Sequence, residues 1–225
     1  MPGKIATYDE WLTARKALIE KEKELFRATN EIAAQLRELP MVKIDTEYTF
    51  RTGAGETLSL KDLFGDKKQL IVYHFMFDPA WADGCAGCSF MAEHFPPIAH
   101  LASKDTAFYA VSRASIEKIE AYKKRHGWTF PWVSSARGDF NHDFHVKQDE
   151  CAEPEEAKKG SKDKEQPGIS VFFLQDGEVF YTYSAYSVVK LLGTFTMLDM
   201  TPLGRQVDPI TGPADFRRLG EYVEV

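Results

Sequence analysis

The sequence predicts an α/β domain in which helices flank a central mixed sheet. Residues 69–77 are apolar on both faces, which is typical of a strand that is covered on both sides. A helical segment separates them from a second strand at 108–111, and this strand–helix–strand order predicts a right-handed crossover and a parallel pair. Strands at 169–174 and 178–183, joined by a turn at 175–177, predict an antiparallel hairpin.

The composition favours one large domain, or a compact domain with extensions. The chain has 225 residues, of which 44% are hydrophobic and 28% charged, so wholesale disorder is excluded. No apolar run approaches the roughly 20 residues of a membrane span, and the N-terminus lacks the apolar segment of a signal peptide. A cytoplasmic location without a membrane partner is therefore expected. The formal net charge of −6 disfavours a nucleic-acid partner.

A long helix is predicted at the N-terminus. Thr7 and Glu10 form a capping-box pattern, residues 8–39 contain neither Gly nor Pro, and Pro40 supplies the stop. Two rows of apolar residues recur every seven positions, namely Trp11, Leu18, Leu25, Ile32 and Leu39 beside Leu12, Ile19, Phe26 and Ala33. Polar residues at 15, 22 and 29 interrupt the stripe, so it is not a regular coiled-coil seam. We expect residues 1–40 to form an extension that packs on the body, or on a second copy in a homodimer.

The remaining elements follow in order along residues 41–225. A strand pair is predicted at 48–50 and 58–60 around a turn at 53–55, with a helical turn at 63–64. Helices are expected at 89–95, at 98–102 after the break at Pro96-Pro97, at 116–126 before Gly127, and at 191–198.

Residues 147–167 are compositionally distinct from the rest of the chain. They contain no Ile, Leu, Val, Phe, Met, Trp or Tyr, and 12 of these 21 residues are charged. Such a segment buries too little apolar surface to offset the entropy of ordering. We therefore predict a charged, mobile insertion in the domain, and Cys151 lies inside it.

The other two cysteines form a Cys85-Ala86-Gly87-Cys88 motif. Three cysteines are too few for a disulfide scaffold, so in a reducing compartment the motif is redox-active or metal-binding. It lies where a buried strand leads into a helix, and the free N–H groups at a helix start favour a thiolate. Cys85 is thus the candidate nucleophile, and Cys88, one turn later, is the candidate resolving thiol.

Topology suggests three further site residues. Arg113 follows the strand at 108–111 and should emerge at the same sheet edge as Cys85. There it could stabilise a thiolate or receive an anionic substrate, or it could be an ordinary surface arginine. His74 lies on the central strand. It is either a buried proton acceptor below the cysteines or a satisfied core histidine. Trp81 offers apolar cover over the site together with Phe77.

Other readings of these residues stay open at this point. Cys85 and Cys88 could bind a metal with a histidine such as His74 or His94, or they could be inert core residues. A second polar cluster, formed by Asp139, His142, Asp143 and His145, alternates with Phe140, Phe144 and Val146. That alternation favours a partly buried edge segment with outward polar groups rather than a metal site.

The chain as a whole resembles the bacterial thioredoxin-like family catalogued as domain of unknown function 899, whose members are often labelled predicted dithiol-disulfide isomerases. The segments that carry the resemblance are Glu10-Trp11-Leu12, His74-Phe75-Met76-Phe77, Gly84-Cys85, Cys88-Ser89-Phe90, Val111-Ser112-Arg113 and the runs at 127–128, 130–135 and 198–205. The resemblance implies a thioredoxin-like fold with an N-terminal helical extension, and it transfers the redox pair to Cys85 and Cys88.

This sequence also departs from the better-known relatives of that fold. Thioredoxins place a cis-proline directly before the later hairpin, whereas Pro167 lies two residues too early for the predicted one. Peroxiredoxins carry Pro and Thr seven and three residues before the reactive cysteine, where this chain has Asp78 and Ala82. The leading hypothesis is a thiol-disulfide oxidoreductase without a cofactor, acting on a disulfide-containing protein or small thiol and restored by a cellular thiol reductant. A metal-binding protein and a non-catalytic thioredoxin-like binding module are the alternatives.

Overall fold

A computed structural model describes residues 3–149, 166–185, 187–207 and 212–222. Its strands are β1 (Val42–Lys43), β2 (Thr49–Arg51), β3 (Thr57–Ser59), β4 (Gln69–His74), β5 (Thr106–Ser112), β6 (Trp132–Ser134), β7 (Gly168–Gln175) and β8 (Glu178–Ser184). Its α-helices are α1 (Tyr8–Leu36), α2 (Ala86–Ala92), α3 (Ile98–Ala102), α4 (Ile116–His126), α5 (Phe140–Asp149) and α6 (Gly193–Asp199). Within these ranges, no helix combines the length and apolar character needed to cross a membrane.

All eight strands belong to one mixed sheet, in the order β1-β8-β7-β4-β5-β6-β2-β3. β4 pairs in parallel with β5, and β5 with β6, whereas β7 runs antiparallel to both β4 and β8. The unit β4–α2–β5 is thus followed, later in the chain, by the hairpin β7–β8 and helix α6. Strand β4 lies in the middle of the sheet, between β7 and β5. This arrangement is a thioredoxin-like fold, and the predicted fold class is confirmed.

The central strand divides the core into two clusters because its side chains alternate between the faces of the sheet. Leu70 and Val72 belong to one buried cluster, while Tyr73 belongs to the other. β4 ends at His74, three residues before the predicted end, although Phe75 and Phe77 remain buried. The apolar run therefore continues into the loop that leads to the cysteines.

The predicted N-terminal helical extension is confirmed as α1. Thr7 and Glu10 form the capping box, with the Glu10 N–H donating to Thr7 Oγ1 at 3.3 Å and the Thr7 N–H to Glu10 Oε2 at 2.9 Å. The helix ends at Leu36, three residues earlier than predicted. None of its residues is buried. The packing of its apolar stripe on the body, which the sequence offered as one expectation, is therefore not observed.

The expectation of an edge segment at 139–146 is wrong, because these residues begin helix α5. Phe140 and Phe144, four residues apart, lie on one helical face and are both buried against the sheet. Asp143 accepts a hydrogen bond from the Tyr48 hydroxyl at 2.6 Å. The alternation of polar and apolar residues reflected a helical repeat of four rather than a strand repeat of two.

Helix α5 also extends into the charged segment, reaching Asp149. Residues 150–165 of the predicted insertion, including Cys151, lie outside the described residues. On the other side of the segment β7 begins at Gly168, one residue earlier than predicted, so Pro167 directly precedes the strand. A bulge between Val171 and Phe172 interrupts the hairpin register. The peptide bond at Pro167 is trans, as are all peptide bonds within the described residues.

Candidate redox site

The two cysteines lie where the chain leaves the carboxyl end of β4 and enters α2. Cys85 is the N-cap residue of α2, and its N–H donates to the Met76 carbonyl at 3.0 Å. Cys88 lies one turn into the helix and is 1% exposed, whereas Cys85 is partly exposed. Both are free thiols. Only the first of them is therefore accessible to a substrate.

The surroundings of Cys85 favour its thiolate. Its pKa falls from 9.0 to about 6, chiefly because the Cys88 thiol donates a hydrogen bond to it. Partial burial opposes this shift, while the backbone N–H groups of Cys88 and Gly87 and the charge of Arg218 contribute to it. At neutral pH Cys85 is therefore mostly ionised, as a nucleophile requires.

The surroundings of Cys88 favour its neutral thiol. Burial raises its pKa well above the usual value, and the hydrogen bond to Cys85 and the negative charge of that thiolate raise it further. Two groups act in the opposite direction, the Tyr73 hydroxyl and the Met76 N–H, which donates to Cys88 Sγ at 3.5 Å. The motif thus holds one ionised and one protonated sulfur.

Tyr73 is a site residue that the sequence analysis missed. It precedes the strand end by one residue and is 1% exposed, and its hydroxyl hydrogen-bonds to Cys88. The alternation of side chains along β4 carried part of the signal, but it did not show which residue faces α2. Residues 73 and 74 point to opposite faces of the sheet, so only one of them can lie beneath α2.

Arg218 is the second missed residue, and it comes from the far end of the chain. Its Nε donates to the Tyr122 hydroxyl at 2.9 Å, its Nη2 to the Gly84 carbonyl at 3.2 Å, and its Nη1 to Glu221 at 2.9 Å. The guanidinium is thereby fixed beside the residue that precedes Cys85. No motif in the sequence links Arg218 to the cysteines.

The segment around Arg218 packs directly on α2. Phe216 stacks on Phe90 with ring centroids 4.4 Å apart, and the Leu219 N–H donates to Glu93 Oε1 at 3.2 Å. At Gly87, inside the motif, an added Cβ would lie 3.8 Å from the Pro213 Cβ. Residues 213–219 therefore form part of the wall around the cysteine motif.

A chain of hydrogen bonds connects Arg218 to the backbone of Cys85. Tyr122 Oη lies 2.8 Å from Ser89 Oγ, which donates to the Cys85 carbonyl at 2.9 Å. Ser89 is fully buried, and Tyr122 is 3% exposed. With Arg218 donating to Tyr122, every link has one donor and one acceptor, so this buried polar chain is satisfied.

Close packing explains the glycine before the motif. A Cβ at Gly84 would lie 2.8 Å from Cε1 of Phe75 and 3.2 Å from Cε1 of Tyr122. The first distance is shorter than any stable contact, and both rings are buried. Only glycine lets the loop pass between these rings and deliver Cys85 to the start of α2.

Arg113 directly follows β5, and Trp81 lies in the loop between β4 and α2. Arg113 Nη1 lies 3.6 Å from Asp78 Oδ2 in the loop that leads to Cys85. Trp81 is 39% exposed, and its carbonyl accepts a hydrogen bond from Lys118 Nζ at 3.1 Å.

Asp83, two residues before Cys85, forms an ion pair with Arg125, which lowers the pKa of the Asp83 carboxyl. Its negative charge is thereby balanced close to the motif.

His74 does not lie beneath the cysteines, so the expectation of a proton acceptor there is wrong. Its ring stacks on Phe140 with centroids 5.6 Å apart, and its Nε2 lies 2.8 Å from Ser170 Oγ. Both contacts belong to the face of the sheet opposite to Tyr73 and Cys88. His74 is fully buried in the core on that face of the sheet.

The histidines offered as metal ligands have other partners. Nδ1 of His94 lies 2.6 Å from the Phe90 carbonyl and its Nε2 lies 2.7 Å from Thr194 Oγ1, while His74 lies on the other face of the sheet. Across the part of the chain that the structure describes, no group of three or more His, Cys, Asp or Glu side chains is arranged to hold a metal ion.

Comparison with solved structures gives similarities of fold at low sequence identity. Peroxiredoxin Q from Xanthomonas campestris is 18% identical with a TM-score of 0.43, covering 68% of this chain and 87% of that chain. A peroxidoxin from Mycobacterium tuberculosis is 18% identical with a TM-score of 0.42, covering 69% and 93%. BsSco, of the Sco family of cytochrome c oxidase assembly proteins, is 12% identical with a TM-score of 0.40, covering 68% and 89%.

The sequence comparisons gave two results. No protein with a curated description matches the chain. A family model described as "Bacterial protein of unknown function (DUF899)" matches residues 2–222.

Proposed function

The chain belongs to the bacterial DUF899 family, and we propose that it is a thiol-disulfide oxidoreductase that cycles Cys85 and Cys88 between dithiol and disulfide. The observation that carries the proposal is that a partly exposed and a buried free thiol lie one helical turn apart at the start of α2. The pKa of the partly exposed Cys85 is lowered to about 6, and that of the buried Cys88 is raised. An attacking thiolate beside a protonated resolving thiol is the starting state of disulfide exchange.

In the first step the Cys85 thiolate attacks one sulfur of a substrate disulfide. A bond forms between Cys85 Sγ and that sulfur, the substrate S–S bond breaks, and the second substrate sulfur leaves as a thiolate. The helix-start N–H groups of Gly87 and Cys88 hold the attacking sulfur before the reaction. The product of this step is a mixed disulfide on Cys85.

The first step itself prepares the second. Once Cys85 is in a mixed disulfide, its negative charge no longer raises the pKa of Cys88, while the Tyr73 hydroxyl and Met76 N–H still favour the Cys88 thiolate. Cys88 gives its proton to the departed thiolate and attacks Cys85 Sγ. The Cys85–Cys88 disulfide forms, the bond between Cys85 Sγ and the substrate sulfur breaks, and that sulfur leaves as a thiolate. The substrate disulfide has then gained two electrons.

The chemistry of the site defines the partners of this cycle. The substrate is a disulfide-containing protein or small disulfide that can reach the partly exposed Cys85. A cellular thiol reductant, acting in the cytoplasm, returns two electrons to the Cys85–Cys88 disulfide. The cycle needs no cofactor, because the two electrons pass directly between thiol and disulfide sulfur atoms.

An anaerobic redox titration of the purified protein tests the proposal. Glutathione buffers of stepped potential are applied, free thiols are alkylated, and intact mass counts the labels. We expect one reversible two-electron transition in which two alkylation sites disappear together. Peptide mapping should assign both sites to Cys85 and Cys88.

Two variants identify the roles of the sulfurs. With a disulfide probe such as 5,5′-dithiobis(2-nitrobenzoate), Cys88→Ser should stop at a stable mixed disulfide on Cys85, whereas Cys85→Ser should react slowly. Cys151→Ser is the matched control and should form the same Cys85–Cys88 disulfide as the wild type. Absence of a reversible transition at Cys85 and Cys88, or a transition that needs Cys151, would overturn the proposal.

A further inference from the structure

Helix α1 carries an apolar stripe that no other part of the described chain covers. Its 29 residues include no buried side chain, and Trp11, Leu25 and Phe26 are 53%, 70% and 68% exposed. A stripe of this length is a large exposed apolar surface, and such surfaces mark interaction sites. A helix of about 43 Å without tertiary packing also gains little stability from its own backbone. The stripe therefore needs a partner.

The pattern within the stripe is regular. Pairs of apolar residues alternate with single residues every three to four positions, the pairs being Trp11-Leu12, Leu18-Ile19, Leu25-Phe26 and Ile32-Ala33. The single residues between the pairs are Arg15, Glu22 and Thr29, and the spacing places all of them on one helical face. Arg15 Nη2 lies 2.9 Å from Glu22 Oε2 along this face. One positive and one negative charge thus flank the Leu18-Ile19 pair.

The charges of Arg15 and Glu22 favour one way of pairing α1 with the α1 of a second copy over the others. In a parallel pair in register, Arg15 would face Arg15 and Glu22 would face Glu22. Antiparallel pairs centred on Arg15 or on Glu22 would also oppose like charges. Only an antiparallel pair centred between Leu18 and Ile19 places Arg15 of each copy opposite Glu22 of the other while the apolar residues of the first three pairs face one another.

We propose that two copies of this chain pair through α1 in an antiparallel arrangement, with residue i of one copy facing residue 37 − i of the other. Trp11 then faces Phe26, Leu12 faces Leu25 and Leu18 faces Ile19, and each contact occurs twice. An Arg15–Glu22 ion pair between the two copies lies on each side of the central Leu18–Ile19 contacts. The occupant of the stripe is a second α1, and this interface is independent of the redox chemistry at Cys85.

Complementary charge reversals test the register. Arg15→Glu and Glu22→Arg each place like charges across the interface, and each should weaken dimerisation at least about tenfold. Mixed in equal amounts, the two variants should dimerise again, because every facing pair is then opposite in charge. Neither variant retains the Arg15–Glu22 bond within its own helix, so recovery reports on the contact between copies.

The matched control is Glu24→Arg, since Glu24 lies on the opposite side of α1 from Glu22. Analytical ultracentrifugation of the full chain should give a dimer for the wild type and for the control. A monomeric wild type, a monomeric control, or a mixture that stays monomeric would each overturn the proposal. Circular dichroism of the variants verifies that α1 and the body remain folded.

Orientation needs a second measurement. A nitroxide is attached through Asp9→Cys in a chain whose three native cysteines are replaced by serine. In the proposed arrangement residue 9 faces residue 28, so the two labels lie about 28 Å apart along the helices. A parallel pair would bring them to about 10 Å, the spacing of packed helices. The longer distance supports the proposal and the shorter one overturns it.

Discussion

Arg218 Nη2 donates a hydrogen bond to the Gly84 carbonyl at 3.2 Å, which fixes a guanidinium from the end of the chain against the residue preceding Cys85. The same side chain donates to the Tyr122 hydroxyl, which leads through Ser89 to the Cys85 carbonyl. The positive charge that acts on the Cys85 thiolate therefore comes from the segment that packs on α2. Docking of that segment therefore adds to the lowering of the Cys85 pKa, to which the hydrogen bond from Cys88 contributes most.

Substitution of Arg218 should raise the pKa of Cys85. Arg218→Ala removes a charge that favours the thiolate, so at pH 6, near the wild-type midpoint, alkylation of Cys85 by iodoacetamide should slow about twofold or more. Arg217→Ala, a neighbouring exposed arginine, is the control and should leave the rate unchanged. A profile of Arg218→Ala identical to that of the wild type would show that this charge does not act on the sulfur.

Reactivity of Cys85 should follow a thiolate titration with a midpoint near pH 6. Below the midpoint the alkylation rate should fall about tenfold per pH unit, and above pH 7 it should be nearly constant. Cys88→Ala removes the hydrogen bond that contributes most to the lowered pKa, so the midpoint should move upward. The measurement is the initial rate of mass gain between pH 4 and 9. A downward movement of the midpoint in Cys88→Ala would contradict the proposed hydrogen bond.

The parts of the fold that are predictable from sequence are those set by local periodicity. The buried strand, its crossover to the next strand and the capped start of α1 all depend on residues close together in the chain. A helix after the cysteine motif was predictable for the same reason, although α2 begins at Ala86, three residues before the predicted start.

The parts of the site that were missed depend on long-range packing. Arg218 reaches Gly84 only through the docking of residues 213–219 on α2, which no local pattern encodes. His74 was misplaced for a different reason. A strand that is apolar on both faces does not reveal which residues point toward α2, so Tyr73 and His74 could not be told apart.

Tyr73→Phe should slow resolution of the mixed disulfide without changing its formation. The hydroxyl of Tyr73 lowers the pKa of Cys88, so its loss leaves that thiol harder to ionise. With 5,5′-dithiobis(2-nitrobenzoate), the first release of thionitrobenzoate should be unchanged and the second should slow several-fold. Tyr109→Phe, on the neighbouring strand β5 and packed against the other cluster, is the control. Equal slowing of both phases would indicate general damage instead of a role for this hydroxyl.

Substitution of His74 should affect stability and leave the redox pair unchanged. His74→Leu leaves the buried Ser170 hydroxyl without its 2.8 Å partner, which should cost about 1–3 kcal/mol in the free energy of unfolding by urea. Adding Ser170→Ala removes both polar groups, so the double variant should recover part of that loss. The alkylation midpoint of Cys85 should stay at the wild-type value in both, because the ring lies across the sheet from Tyr73 and Cys88. A shifted midpoint with unchanged stability would instead connect His74 to the thiols and contradict the assignment of the two faces.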